Sequence, residues 1–277
     1  MEVTMRPNSV AAGSGWAERL GRAVKGFLIN PRWLALFLLL AGWEALAIYR
    51  NTRVIPRLER IYIEVVRIIT TGLFIEHLYA SMTRIVLGFI VAMILGTTIG
   101  ILMGSRRTWD EFFKDTVLFG LALPGLIYAL VAVMFFGLSI LAPITAIVGT
   151  SYPFVAINIR EGVRALNKDL LDMARAYRVR NWDIVRKVIL PSLLPFVLAA
   201  IRVGFAIAWK VNTLVEVFGT VNGVGWQIRA SFDSYSVHGM IAWALLFGAV
   251  MLVIEYWILV PTERYLARWR PNVGQVI

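Results

Sequence analysis

The chain has 277 residues, 59% of them hydrophobic and 16% charged, with a mean hydropathy of +0.72, which excludes an ordinary water-soluble domain of this size. It contains no cysteine, so disulfides, thiolate catalysis and cysteine metal sites are excluded, and its two histidines, His77 and His238, stand alone rather than at metal-ligand spacing. The net charge of +11 comes from Lys and Arg interleaved with apolar runs, the pattern of membrane-protein loops, and no zinc finger or compact basic domain points to nucleic acid.

The chain opens on a basic stretch with Arg6, Arg19, Arg22 and Lys25, followed by no small-residue cleavage site. Residues 1–32 are therefore expected to be a retained cytoplasmic tail. A bilayer core of about 30 Å takes roughly 20 apolar residues as a helix, and six segments meet that length: 33–49, 85–103, 117–136, 140–159, 196–218 and 237–260. After the first, Leu58, Ile61, Tyr62, Val65, Val66 and Ile69 recur at helical spacing and predict an interfacial amphipathic helix. The organisation read from this is a first span with that segment (33–71), a core membrane domain (72–262) and a cytoplasmic tail (263–277). The second span carries Gly88, Gly96, Gly100 and Gly104 on one stripe, a face for close backbone packing, expected within one subunit rather than as a dimer seam. Pro124-Gly125 interrupts the third span, and Pro143 and Pro153 the fourth; such helices pack inside a bundle or line a cavity, where neighbours satisfy the freed carbonyls. Basic loops place both termini inside, although Arg50, Arg53, Arg57, Arg60 and Arg67 then fall outside.

The polar stretch between the fourth and fifth spans is long enough for two short helices. Asn167 is placed to cap the first, with Leu170, Leu171, Ala174 and Tyr177 as its apolar stripe. Asn181 is placed to cap the second, which should run through Ile184, Val185, Val188 and Ile189 until Pro191 stops it. With Arg175, Arg178, Arg180, Arg186 and Lys187 around them, the pair would form a docking knob or an interfacial unit held by anionic lipid.

Glu44, Arg202, Lys210, Glu216 and Glu255 fall inside predicted spans, where an unpaired charge costs at least about 2.5–3.5 kcal/mol, so each should be paired or face water. Lys210, next to Trp209, either offers a positive charge and an aromatic wall to a passing anion or pairs with Glu216 or Glu255. Asn222-Gly223-Val224-Gly225-Trp226 predicts a tight turn before the last span. The chain has no GxxxxGK[ST] phosphate loop and no nucleophile, base and orienter set, so neither nucleotide hydrolysis nor other enzymatic chemistry is expected of it.

Residues 172–191, DMARAYRVRNWDIVRKVILP, resemble the coupling loop of ABC importer permeases, whose pattern is Glu-Ala-Ala, three residues, Gly, nine residues, Ile, one residue, Leu-Pro. Asp172-Met173-Ala174 stand at the acidic-Ala-Ala place, Arg178 at the glycine, Val188 at the isoleucine and Leu190-Pro191 at the ending. HLYASMTRIVLGF (77–89), LALPGLIYALVAVMFFGLS (121–139), IRVGFAIAWKVNTLVEVFG (201–219) and NGVGWQI (222–228) look like successive landmarks of the nitrate, sulfonate, taurine and bicarbonate permease group. The resemblance implies an all-α polytopic protein of about six transmembrane helices, with the type I ABC importer fold and a cytoplasmic coupling helix pair within 160–191, in the bacterial inner membrane. It further implies a second permease, identical or related, two ABC ATPase subunits that hold ATP and Mg, and an extracytoplasmic substrate-binding protein. ATPase coupling would then fall to Asp172, Met173, Ala174, Tyr177, Arg178, Trp182, Leu190 and Pro191. Pro124, Trp209, Lys210, Glu216, Asn222, Gly223 and Gly225 are the pathway or gate candidates, and Arg84 and Arg202 the structural charges. An ion-coupled carrier or channel is the alternative reading, but it has no reason to carry the Leu190-Pro191 motif. If the turn at Arg178 keeps the left-handed geometry of a glycine, the substitution costs on the order of 1 kcal/mol.

Overall fold

The computed structural model describes residues 31–50 and 54–266. The basic amino-terminal stretch before Pro31 and the tail beyond Leu266 lie outside the described residues. The chain divides into two compact units, Met1–Arg60 and Ile61–Ile277.

In the first unit, α1 (Pro31–Arg50) ends near the start of α2 (Leu58–Thr70). Glu44, the charge expected inside the first span, accepts from the backbone N–H of Leu58 at 2.9 Å and from Arg57 Nε at 3.0 Å. It thus supplies the cap that α2 lacks in its own sequence. In the second unit the amphipathic stripe of α2 is narrower than the spacing predicted. Ile61, Val65 and Ile68, at i, i+4 and i+7, face the core, whereas Tyr62, Val66 and Ile69 remain exposed.

The core is set by α3 (Leu73–Ser105) and α6 (Leu141–Arg164). The glycine stripe of α3 lies flat on α6: Gly88 meets Ile147, Gly96 meets Val155, Gly100 meets Ile159 and Gly104 meets Val163. A Cβ at Gly100 would come within 2.6 Å of the Ala156 carbonyl, so only a residue without a side chain admits this approach. The constant offset means that α3 and α6 run parallel. Parallel neighbours in a membrane need one return crossing between them, and only α4 (Arg107–Ala122) with α5 (Gly125–Phe136) is available for it. Those two helices are bent by 95° at the Leu123-Pro124 break, so the expected third span is a broken one. In α6, by contrast, neither proline breaks the helix. Pro143 lies in the first turn, where its missing N–H has no partner to lose, and Pro153 is inside a continuous helix.

After α7 (Lys168–Ala176) comes α8 (Asn181–Gly219), 39 residues long, then α9 (Val224–Asp233) and α10 (Val237–Leu266). Pro191 does not end the second short helix, contrary to expectation. A π-helical turn over Val185–Ile189 widens the helix just before it, so that Pro191 sits at the start of the α-helical stretch Leu190–Gly219, and the chain continues without a stop. Among the described residues, α3, α6, α8 and α10 are long and apolar enough to cross a membrane, and the α4–α5 pair makes a fifth if it is one span. Ile85, Ile147, Trp209, Trp243 and Phe247 join α3, α6, α8 and α10 in the main apolar cluster.

Candidate functional site

Most of the residues singled out in the sequence gather at the two ends of α8. At its first end, Asn167 caps α7 as expected, its side chain accepting from the N–H groups of Asp169 and Leu170. Asn181 is instead the first helical residue of α8, with Arg180 at the cap position and no side-chain capping bond. Between the helices, Val179 N–H donates to the Ala174 carbonyl at 3.0 Å and Arg178 N–H to that of Arg175 at 2.9 Å. These two bonds define a left-handed helix C-terminus, and Arg178 occupies its glycine position with φ +53°. The conditional expectation is therefore met in geometry: arginine carries the conformation that glycine adopts at no steric cost.

Ala174 is buried at this turn, while Met173, Tyr177, Trp182 and Leu190 are exposed, Tyr177 by 79% and Trp182 by 63%. Their neighbours are charged: Asp172 pairs with Arg175 at 3.1 Å and Asp183 with Lys187 at 3.2 Å. Large aromatic and aliphatic groups are thus held out in a charged setting by two helices, and this chain leaves their apolar area uncovered. Beside it lies a cleft of about 690 Å³ lined by Arg106, Arg107, Arg164, Lys168 and Arg175 together with Asp172. Asp110 on α4 takes both Arg160 (2.5 Å) and Arg164 (2.7 Å) of α6, bracing this end.

At the far end, Glu216 is fully buried. One carboxylate oxygen accepts from Arg84 at 2.8 Å, and the other from the Ser81 hydroxyl at 2.8 Å and Gly225 N–H at 2.9 Å. Arg84 continues to the Asn222 carbonyl at 2.9 Å and to the Asn222 side-chain oxygen. Ser81 accepts from Val224 N–H at 2.9 Å, and His77 Nδ1 accepts from Gly223 N–H at 3.2 Å. With Nδ1 accepting, His77 Nε2 carries the proton, and the Gln227 amide 2.6 Å away must turn its oxygen to it. The histidine ring stacks on Trp226 with centroids 5.8 Å apart. Gly223, at φ +110°, lies so close that a Cβ there would stand 2.5 Å from the Glu216 carboxyl carbon. The turn from Asn222 to Gly225 is thus tied to both α3 and α8. Each charge in this knot is balanced and each carboxylate oxygen is bonded, the condition under which a buried ion pair is tolerated.

The remaining candidates do not form one site. Trp209 is buried against Phe247, ring centroids 4.0 Å apart, whereas Lys210 leaves the helix on another side and is exposed. The pairing of positive charge and aromatic wall expected at 209–210 is therefore absent from the geometry. Arg202 pairs with Glu255 at 2.5 Å and lies 3.7 Å from Glu263. Pro124 stands at the α4–α5 bend. Sequence reasoning passed over Ser81 and left His77 without a partner, yet His77, Ser81 and Arg84 share one face of α3 at i, i+4 and i+7. A polar stripe in an otherwise apolar helix was the available signal. Asn212, fully buried with both side-chain polar atoms unpartnered, was also missed.

Comparison with known proteins agrees with this arrangement. The family described as binding-protein-dependent transport system inner membrane component matches residues 96–260. The chain is 30% identical over 248 residues to a putative aliphatic sulfonates transport permease protein of Bacillus subtilis, covering 89% of this chain and 88% of that one. It is 29% identical over 199 residues to the bicarbonate transport system permease protein of Synechococcus elongatus, covering 72% and 69%. Among solved structures, an inward-facing form of the MetNI methionine ABC transporter superposes with a TM-score of 0.61 at 16% identity, over 70% of this chain and 96% of that chain, a likeness of fold. With a family match over more than half its length and relatives aligned across most of it, the chain belongs to the binding-protein-dependent transport system inner membrane components, the permease subunits of ABC importers.

Proposed function

We propose that this chain forms the translocation path of an ATP-driven importer for a small organic or inorganic anion, and that α7 with the first turns of α8 is where the ATPase docks. The observation that carries the reading is the exposed surface formed by Met173 and Tyr177 of the α7 end and Trp182 in the first turn of α8, a helix that runs for 39 residues to the Glu216 knot. A push on that surface is delivered to the whole of α8 as a rigid body, about 58 Å at 1.5 Å per residue, the type of motion by which such bundles open alternately to each side. ATP and Mg belong to two separate ATPase subunits. A second permease, identical or related, completes the path, and an extracytoplasmic binding protein brings the substrate. In this reading the docking surface and both termini face the cytoplasm, residues 33–71 carry the first span and its interfacial segment, and 72–262 form the core. The basic cleft beside α7 faces acidic groups of the ATPase and the anionic headgroups of the inner membrane. An anion as cargo is supported by two relatives whose names specify sulfonates and bicarbonate.

Affinity purification of the tagged chain from its native membrane under mild detergent, followed by mass spectrometry, tests this. An ATPase subunit should co-purify. Recovery of the chain alone would favour a self-sufficient carrier instead.

A further inference from the structure

Lys210 lies deep within the apolar stretch of α8, and the two carboxylates that its sequence position offered are committed elsewhere. Glu216 is held by Arg84 and Glu255 by Arg202. Lys210 makes no ion pair with any described residue. Nor can it reach the end of its helix, since Gly219 is nine residues on, about 13 Å along the axis, well beyond the stem of a lysine. An unpaired ammonium at such depth is expensive and is found where it meets water or a ligand.

What it meets is a cavity of about 300 Å³ between α4, α5, α6 and α8. Leu121, Leu123, Phe154 and Leu214 give apolar walls, and Thr150 is the other polar side chain on the lining. The 95° break between α4 and α5 opens this space, with Gly125, the first residue of α5, on its wall. Here a side chain would press on Val211, 3.2 Å from the position of a Cβ. A single cation set in apolar walls recognises a small ligand with one negative headgroup and a compact apolar or neutral remainder.

We infer that Lys210 and this cavity form an anion-binding station on the translocation path, selecting small oxyanions such as carboxylates, sulfonates and bicarbonate against neutral and cationic solutes. The inference rests on the anion-importer reading given above. It makes Lys210 a specificity-determining residue of the membrane subunit itself.

Because the sequence has no cysteine, Lys210→Cys introduces one thiol into this chain, and the unaltered system given the same reagents is the control for thiols elsewhere. Cells producing the whole transport system are assayed for initial uptake of radiolabelled taurine, ethanesulfonate, bicarbonate and benzoate, with glycerol and choline as neutral and cationic probes. For whichever anion the unaltered system carries, Lys210→Gln should lower uptake at least tenfold, and Lys210→Arg should stay within about threefold, with recovery of the permease–ATPase complex unchanged. Lys210→Cys should be inactive until an aminoethyl thiosulfonate restores the ammonium, and a sulfonatoethyl thiosulfonate should not restore it. Uptake of the anion by Lys210→Gln within twofold of the unaltered system overturns the inference and leaves the anion importer standing. Loss of the complex in Lys210→Gln also overturns it, since the lysine would then hold subunits together. Uptake of choline or glycerol and of no anion by the unaltered system removes the anion reading, and the inference with it.

Discussion

At the Glu216 end of α8 the polar atoms of the knot find their partners inside the chain, while at the Trp182 end the large side chains stand in solvent. One helix therefore joins a region whose bonds are internal to a region whose large side chains find no cover within this chain. The contrast teaches where substitutions should harm the fold and where they should harm only the assembly. Burial of Glu216, Ser81 and Arg84 is acceptable because the charges and hydroxyl satisfy one another, and the same closure leaves them nothing to offer a partner. Tyr177 and Trp182 have the opposite character, gaining little from this chain and having much apolar area to bury against a second one.

The sharpest way to break the comparison is at the knot. Glu216→Ala leaves Arg84 buried beside unpaired groups, and the expected loss is on the order of 3–5 kcal/mol, read as failure of the chain to accumulate in the membrane or as early thermal unfolding in detergent. A variant with unchanged thermal stability would mean that the buried network is dispensable. Gly223→Ala comes next. It places a methyl against the Glu216 carboxylate in a backbone region that side chains avoid, for a loss of about 1–3 kcal/mol in the same assay. At the other end the sign reverses. Arg178→Gly relieves a left-handed residue at the α7 terminus and should raise stability by about 1 kcal/mol, measured as a small upward shift of the unfolding midpoint, with ATPase recovery retained. Destabilisation by that change would show that the arginine side chain, not the backbone, holds the turn.

How far each region was legible in the sequence follows from the range of its interactions. The α7 turn is local: the Asn167 cap, the Leu-Pro ending and the glycine position taken by Arg178 all lie within 25 residues, so the cap could be read from the local pattern and the other two from the resemblance to the coupling loop. The glycine stripe of α3 was legible for a similar reason, since small residues at helical spacing report a close neighbour without naming it. The knot depends on Arg84 meeting Glu216 across 132 positions, and no periodicity encodes that pairing. Glu216 could be marked as a charge needing a partner, but the choice among Arg202, Lys210 and Arg84 required the packing of α3 against α8. The break at Pro124 was visible as an interruption, while its 95° angle was not, because it is set by what α4 and α5 rest on. The continuation of α8 through Pro191 was misread, since a π-helical turn is a response to packing and carries no residue signature.

The central claim, that α8 is fixed within the chain at one end and docks a partner at the other, is tested most directly by Trp182→Ala in the complex purified from native membranes. Thermal unfolding of the chain and the amount of co-purifying ATPase should be measured on the same sample. A stability within about 0.5 kcal/mol of the unaltered chain, read as an almost unmoved unfolding midpoint, together with loss of the ATPase, is the expected result for an exposed residue whose contacts lie in another subunit. Retention of the ATPase, or unfolding of the chain along with its loss, would contradict it.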